Sequence, residues 1–138
     1  MTYRNFTDII DRLRLVGLRP TRQRVGLGKL LFANGDRHVT ADQLHAESER
    51  AGLSVSLATV YNTLNQFRDV GLLREVVVEP GRSYFDTNTN AHHHFFNVED
   101  GALSDIPEAE VNVSGLPLPP DGTEIDRVDI VIRVRNRA

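Results

Sequence analysis

The hydrophobic period of this chain changes once, near Leu72, and that switch does most to limit its fold. Before it, apolar residues recur three and four positions apart, the spacing of one face of an α-helix. Phe6, Ile9, Ile10, Leu13 and Val16 make a first such face, with Gly17 where a helix would stop. Thr21 caps a second, whose apolar side is Val25, Leu27, Leu30 and Leu31 and whose end falls near Asn34-Gly35. Thr40 with Gln43 three positions on matches a capping box. That helix runs to about Ala51, with Gly52 as its left-handed stop. Ser56 opens a fourth, with Leu57, Val60, Leu64 and Phe67 inward and Gly71 at its close.

Beyond Leu72 the period is two. Leu73–Val78 and Ser83–Asp86 flank Glu79-Pro80-Gly81-Arg82, with Pro and Gly at the central positions of a type II turn. Helices followed by such a hairpin predict an α+β chain that begins with a winged helix-turn-helix domain. Thr87–Ala91 has no periodicity and reads as a linker, placing domains at 1–86 and 92–138 with a hinge at 87–91. In the second domain His92–Val98, Ala102–Ile106 and the alternating run Val128–Arg135 read as strands. Pro107–Gly122, with four prolines, holds at most one short helix. A mostly β unit of this size buries little core alone, so a second copy is expected to complete it.

Composition removes several chemistries. Cysteine is absent, which excludes disulfide scaffolds, thiolate-held zinc, iron–sulfur clusters and thiol catalysis. No run of about 18 apolar residues is present, so no membrane-spanning helix is expected. The start of the chain mixes aspartates and arginines into its apolar pattern and has no leader-like core, so the cytoplasm is the expected compartment. The net charge of −3 hides a division: residues 1–85 carry 12 basic and 9 acidic side chains, residues 86–138 carry 4 and 10. All but one of the cations are arginine, the side chain that forks onto phosphate and guanine edges.

On the fourth helix, the face left after core assignment presents Ser56, Ala58, Thr59, Tyr61, Asn62, Asn65 and Arg68. Small and amide side chains at a helix start suit a major groove, although an ordinary solvated face has the same composition. Arg19, Arg22 and Arg24 just upstream favour DNA, through phosphates or a narrow minor groove.

His92-His93-His94 is the most informative tripeptide. On a strand His92 and His94 share one face and His93 takes the other. Asp86 lies across the linker, Asp105 on the next strand, and His38 in the loop before the third helix. Three imidazoles and two carboxylates make an N/O set suited to Mn²⁺, Fe²⁺ or Zn²⁺. Non-ligand surface histidines are the plain alternative. An enzyme is not expected, because the chain shows neither a nucleophile–base motif nor a Gly-rich phosphate loop.

The segments LRPTRQRVGLGKLL, HVTADQLH, LSVSLATVYNTLNQFRDVGLL, GRSYFD and HHHFFNVEDG, in this order, resemble the ferric uptake regulator (Fur) superfamily. With no cysteine, the chain looks most like its iron response regulator (Irr) branch. The resemblance implies a small α/β dimerisation domain, a homodimer on operator DNA, and a transcriptional regulator responding to iron and haem. By position it implies a metal site at His38, Asp86, His92, His94 and Asp105. It also implies haem binding at His92, His93 and His94, a major-groove Tyr61 and a minor-groove Arg19, while Asn62 stands where many members have arginine. The DNA-contacting set expected is Arg19, Arg22, Ser56, Thr59, Tyr61 and Asn62. A peroxide sensor on the same ligands, and a metal-buffering protein, are the alternatives. The sensor expectation requires His38, His92 and His94 to meet at the hinge.

Overall fold

The computed structural model describes residues 6–138, with side chains from Ile9 onward, so Phe6 lies outside the described side chains. The elements run α1 (Phe6–Leu15), α2 (Arg22–Phe32), β1 (His38–Val39), α3 (Ala41–Arg50), α4 (Leu57–Asp69), β2 (Arg74–Glu79) and β3 (Arg82–Asp86). They continue with β4 (His92–Asn97), β5 (Leu103–Pro107), a 3₁₀ turn (Glu108–Glu110) and β6 (Val131–Val134). Contacts divide the chain into two compact units, Met1–Thr89 and Asn90–Ala138.

In the first unit the caps follow from local chemistry. The Thr21 hydroxyl accepts from the Arg24 N–H at 3.2 Å, and Ser56 accepts from Thr59 at 3.0 Å. Thr40 and Gln43 form a reciprocal box, each side chain accepting the other's backbone N–H at 2.9 and 3.1 Å. α3 and α4 end the same way: Gly52 and Gly71 turn left-handed at φ of +75° and +82°. The following N–H groups of Leu53 and Leu72 then reach back to the Ser48 and Phe67 carbonyls. Ile9, Leu13, Leu27, Leu31, Leu44, Val60, Leu64 and Phe67 are buried together in one core. α1 lies close enough on α2 that a methyl at Gly28 would stand 3.0 Å from Ile9 Cγ2.

The sheet of this unit has the order β1-β3-β2, all antiparallel. β1 departs from the expected loop around His38. Two residues are too few to show alternation, and their pairing partners, Phe85 and Asp86, lie far along the chain. β3 is thereby the central strand, and its last residue, Asp86, is flanked on both sides.

The second unit is a three-stranded sheet, β5-β4-β6, with β4 antiparallel to β5 and parallel to β6. The C-terminal strand is shorter than the alternating run Val128–Arg135, covering only Val131–Val134. Ile132, expected inward, is 39% exposed beside the equally exposed Phe95. Register with β4, rather than the strand's own alternation, fixes which side faces out. No helix among the described residues is long and apolar enough to cross a membrane.

Replacing Thr40 by Ala removes the α3 cap and should lower stability by about 1 kcal/mol. Urea unfolding of the two proteins at one pH measures this.

Candidate functional site

In the first unit His38 enters on β1 and Asp86 on β3, directly paired in register. His38 Nε2 stands 3.1 Å from Asp86 Oδ2. Asp86 is 1% exposed, and its other oxygen accepts the Asn88 N–H at 2.9 Å. The chain around this pair is clamped. Arg37 N–H donates to Thr87 Oγ1 at 2.8 Å and Thr87 N–H returns to the Arg37 carbonyl at 3.0 Å. Arg37 itself forks onto Glu47 of α3 at 2.8 and 2.6 Å and donates to the Leu30 carbonyl of α2 at 3.2 Å. The hydrogen bond from Arg37 holds the Glu47 carboxyl below its usual range, and the same bond raises Arg37. Because Arg37 precedes His38 and Thr87 follows Asp86, this clamp fixes the backbone of both. Sequence reasoning missed it, since its partners are 10 and 50 positions apart.

In the second unit His92 and His94 project from one face of β4, and Asp105 stands opposite His94 on β5. Both Nε2 atoms lie 3.4 Å from the same oxygen, Asp105 Oδ1. The two imidazole centroids are 4.5 Å apart, tilted by 62°. His92 Nδ1 lies 2.6 Å from the Asn90 carbonyl, so Nδ1 carries a proton and donates, and Nε2 is the nitrogen that faces Asp105. His93 takes the opposite face, where its Nδ1 accepts the Ile130 N–H at 3.2 Å. It is therefore tied to the C-terminal segment rather than free.

These spacings suit an ion. Two ligand atoms each about 2.1 Å from a metal are separated by about 3.0 Å in octahedral and about 3.4 Å in tetrahedral geometry. The 3.1 Å contact in one unit and the two 3.4 Å contacts to Asp105 in the other fall in that range. His45 is engaged elsewhere, with the Val55 carbonyl at 3.2 Å and Glu49 at 3.3 Å.

Of the residues expected at DNA, Arg19, Arg22, Tyr61 and Asn62 are exposed, Arg19 in the α1–α2 loop, Arg22 opening α2, and the other two on α4. Ser56 and Thr59 are committed first to each other, hydroxyl to hydroxyl at 3.0 Å, as the α4 cap. Arg24 braces α2 to α4 through Gln66 Oε1 at 3.2 and 3.3 Å. Arg68 is held by Asp69 and by Glu75 of β2, which removes it from the reading face.

The sequence profile of the Ferric uptake regulator family matches residues 15–129. The chain belongs to that family. Among Fur-family relatives, the Peroxide-responsive repressor PerR of Staphylococcus aureus is 32% identical over 105 residues, covering 76% of this chain and 70% of that protein. The ferric uptake regulator of Pseudomonas aeruginosa, solved with manganese, is 28% identical with a TM-score of 0.72 over 94% of this chain and 98% of that one. The Vibrio cholerae ferric uptake regulator, 22% identical, shares the fold with a TM-score of 0.73 over 92% and 98%.

Glu47→Gln should destabilise the protein at pH 7 and progressively less as pH falls. A carboxyl held below its ordinary value of 4.5 lends stability above that value and loses it on acidification through its lower folded value. Denaturation of both proteins from pH 7 to 3 should show the two curves converging.

Proposed function

We propose that this chain is a metal-responsive transcription regulator, not an enzyme, with one divalent ion held by His38, Asp86, His92, His94 and Asp105. The observation that carries this reading is the pair of incomplete ligand sets. One unit offers an imidazole and a carboxylate, the other two imidazoles and a carboxylate, at spacings an ion accepts. Neither set alone fills a five- or six-coordinate ion, and Asp86 and His92 are separated only by residues 87–91. The all-nitrogen-and-oxygen donor set suits Mn²⁺, Fe²⁺ or Zn²⁺. Shared occupancy would restrain the hinge between a DNA-binding domain (1–86) and a dimerisation and sensing domain (92–138).

In this reading the first domain is a winged helix. α4 enters the major groove with Tyr61 and Asn62 toward base edges, and its Ser56–Thr59 end approaches phosphate. Arg19 and Arg22 reach backbone or minor groove, and the β2–β3 hairpin is the wing. The exposed Phe95, Val98 and Ile132 are where a second copy would cover the small sheet. A homodimer then presents two α4 helices to half-sites about 34 Å apart, and an ion that fixes the hinge favours the spacing that fits.

Mn²⁺ titration against a competing chelator tests the site. Asp86→Asn and His92→Ala should each weaken Mn²⁺ binding about tenfold or more, and both should lose the Mn²⁺-dependent gain in operator affinity. Mn²⁺ binding that leaves operator affinity unchanged would identify a buffering protein instead. For DNA, Arg19→Ala should reduce the slope of log affinity against log salt by about one, and Tyr61→Phe should lower affinity at every salt. An unchanged slope removes Arg19 from the phosphate contacts.

Likeness to a peroxide-responsive repressor favours a second version of the same site, in which Fe²⁺ makes the ligands oxidisable. Mass spectrometry after peroxide treatment of the Fe²⁺ form decides: added oxygen on His38, His92 or His94 assigns peroxide as the signal. The Irr-like features carry haem as a rival signal. Against it stand the burial of His92, His93 and His94 and the Ile130 N–H on His93 Nδ1, which leaves the ring proton on the nitrogen an axial ligand needs bare. Haem should therefore leave Mn²⁺-dependent operator binding unaltered.

A further inference from the structure

The ligands of the first unit have a neighbour of the same sign as the ion. β3 lies between β1 and β2, so Asp86 is the register partner of His38 on one side and of Arg74 on the other. Residues directly opposite in an antiparallel ladder project to the same face, with Cα atoms about 4.5–5.5 Å apart. His38, Asp86 and Arg74 thus form one row across the sheet. Arg74 is 7% exposed and Asp86 1%, so water screens the row poorly.

We infer that Arg74 is the resident counter-cation of Asp86 and sets the divalent-ion affinity of the site below what its ligands alone would give. The inference rests on the metal reading above. Asp86 and Asp105 alone would carry two negative charges, which a divalent ion neutralises. With Arg74 in the row, the empty set carries one negative charge and the filled set one positive charge. The ion therefore enters a weaker field than the two carboxylates alone would provide. Arginine keeps its proton throughout the physiological range, so this opposition is constant with pH. Its consequence is a higher threshold: the site fills and empties as free metal changes rather than staying loaded. Arg74 touches no ion in this account. It acts through Asp86, as a positioning charge.

Two measurements test the inference, one with metal and one without. Arg74→Met and Arg74→Gln should each tighten Mn²⁺ binding about tenfold, while Arg74→Lys, which keeps the charge, should stay within about threefold of wild type. If Arg74→Met does not fold, the neutral hydrogen-bonding amide in Arg74→Gln carries the comparison. Unchanged or weaker Mn²⁺ binding in both neutral variants overturns the inference. The second measurement is a double-mutant cycle over Arg74→Gln and Asp86→Asn by urea unfolding in excess chelator. The unfolding constant of the double variant should depart from the product of the single effects by about fivefold or more. Additive effects overturn the pairing. This arm needs no metal: if wild type binds no Mn²⁺, or Asp86→Asn has no effect on it, the metal reading fails while the cycle still decides whether Arg74 compensates Asp86.

Discussion

Asp86 is a carboxylate almost wholly withdrawn from water, and much of the first unit is arranged to make that tolerable. A buried charge without partners destabilises a fold by several kcal/mol. Here one oxygen accepts a backbone N–H two residues on, and the other faces the His38 imidazole. The second arrangement requires β1 to lie beside β3, which makes β3 the centre of the sheet. That two-residue strand is laid against it from between α2 and α3.

The Arg37–Glu47 fork ties that placement to the helices. Arg37 joins the α2 carboxyl end, α3 and Thr87 through one side chain and one peptide, so a shift at His38 or Asp86 is felt by the helical core. Arg24–Gln66 then connects α2 to α4, the helix with the exposed Tyr61 and Asn62. Under the proposed function this linkage would connect the ion-binding row to the DNA-facing helix, since coupling is carried by elements that move as units.

How much of this was legible in the sequence depends on range. Thr21, Thr40 and Ser56 as caps, Gly52 and Gly71 as stops, and the Pro80-Gly81 turn all act within a few residues, and each sits where reading the chain places it. The opposite facing of His92 and His94 against His93 follows from strand alternation in the same way. What was not legible is long-range. Nothing local to His38-Val39 marks a strand, and nothing local to His93 announces an N–H donor 37 positions later. Arg24 and Arg68, read as DNA-facing cations, are spent on Gln66 and Glu75 because the packing of α4 brings those partners within reach.

The order of residues by itself determined the helices, their caps and stops, the β2–β3 turn, and the chemical type of the candidate ligands, because caps, turns and alternation are settled by neighbours in the chain. Only the tertiary structure decided which side chains remain available for function. Hydrogen bonds and charge pairs form between whatever side chains packing brings together, and their partners lie tens of residues apart.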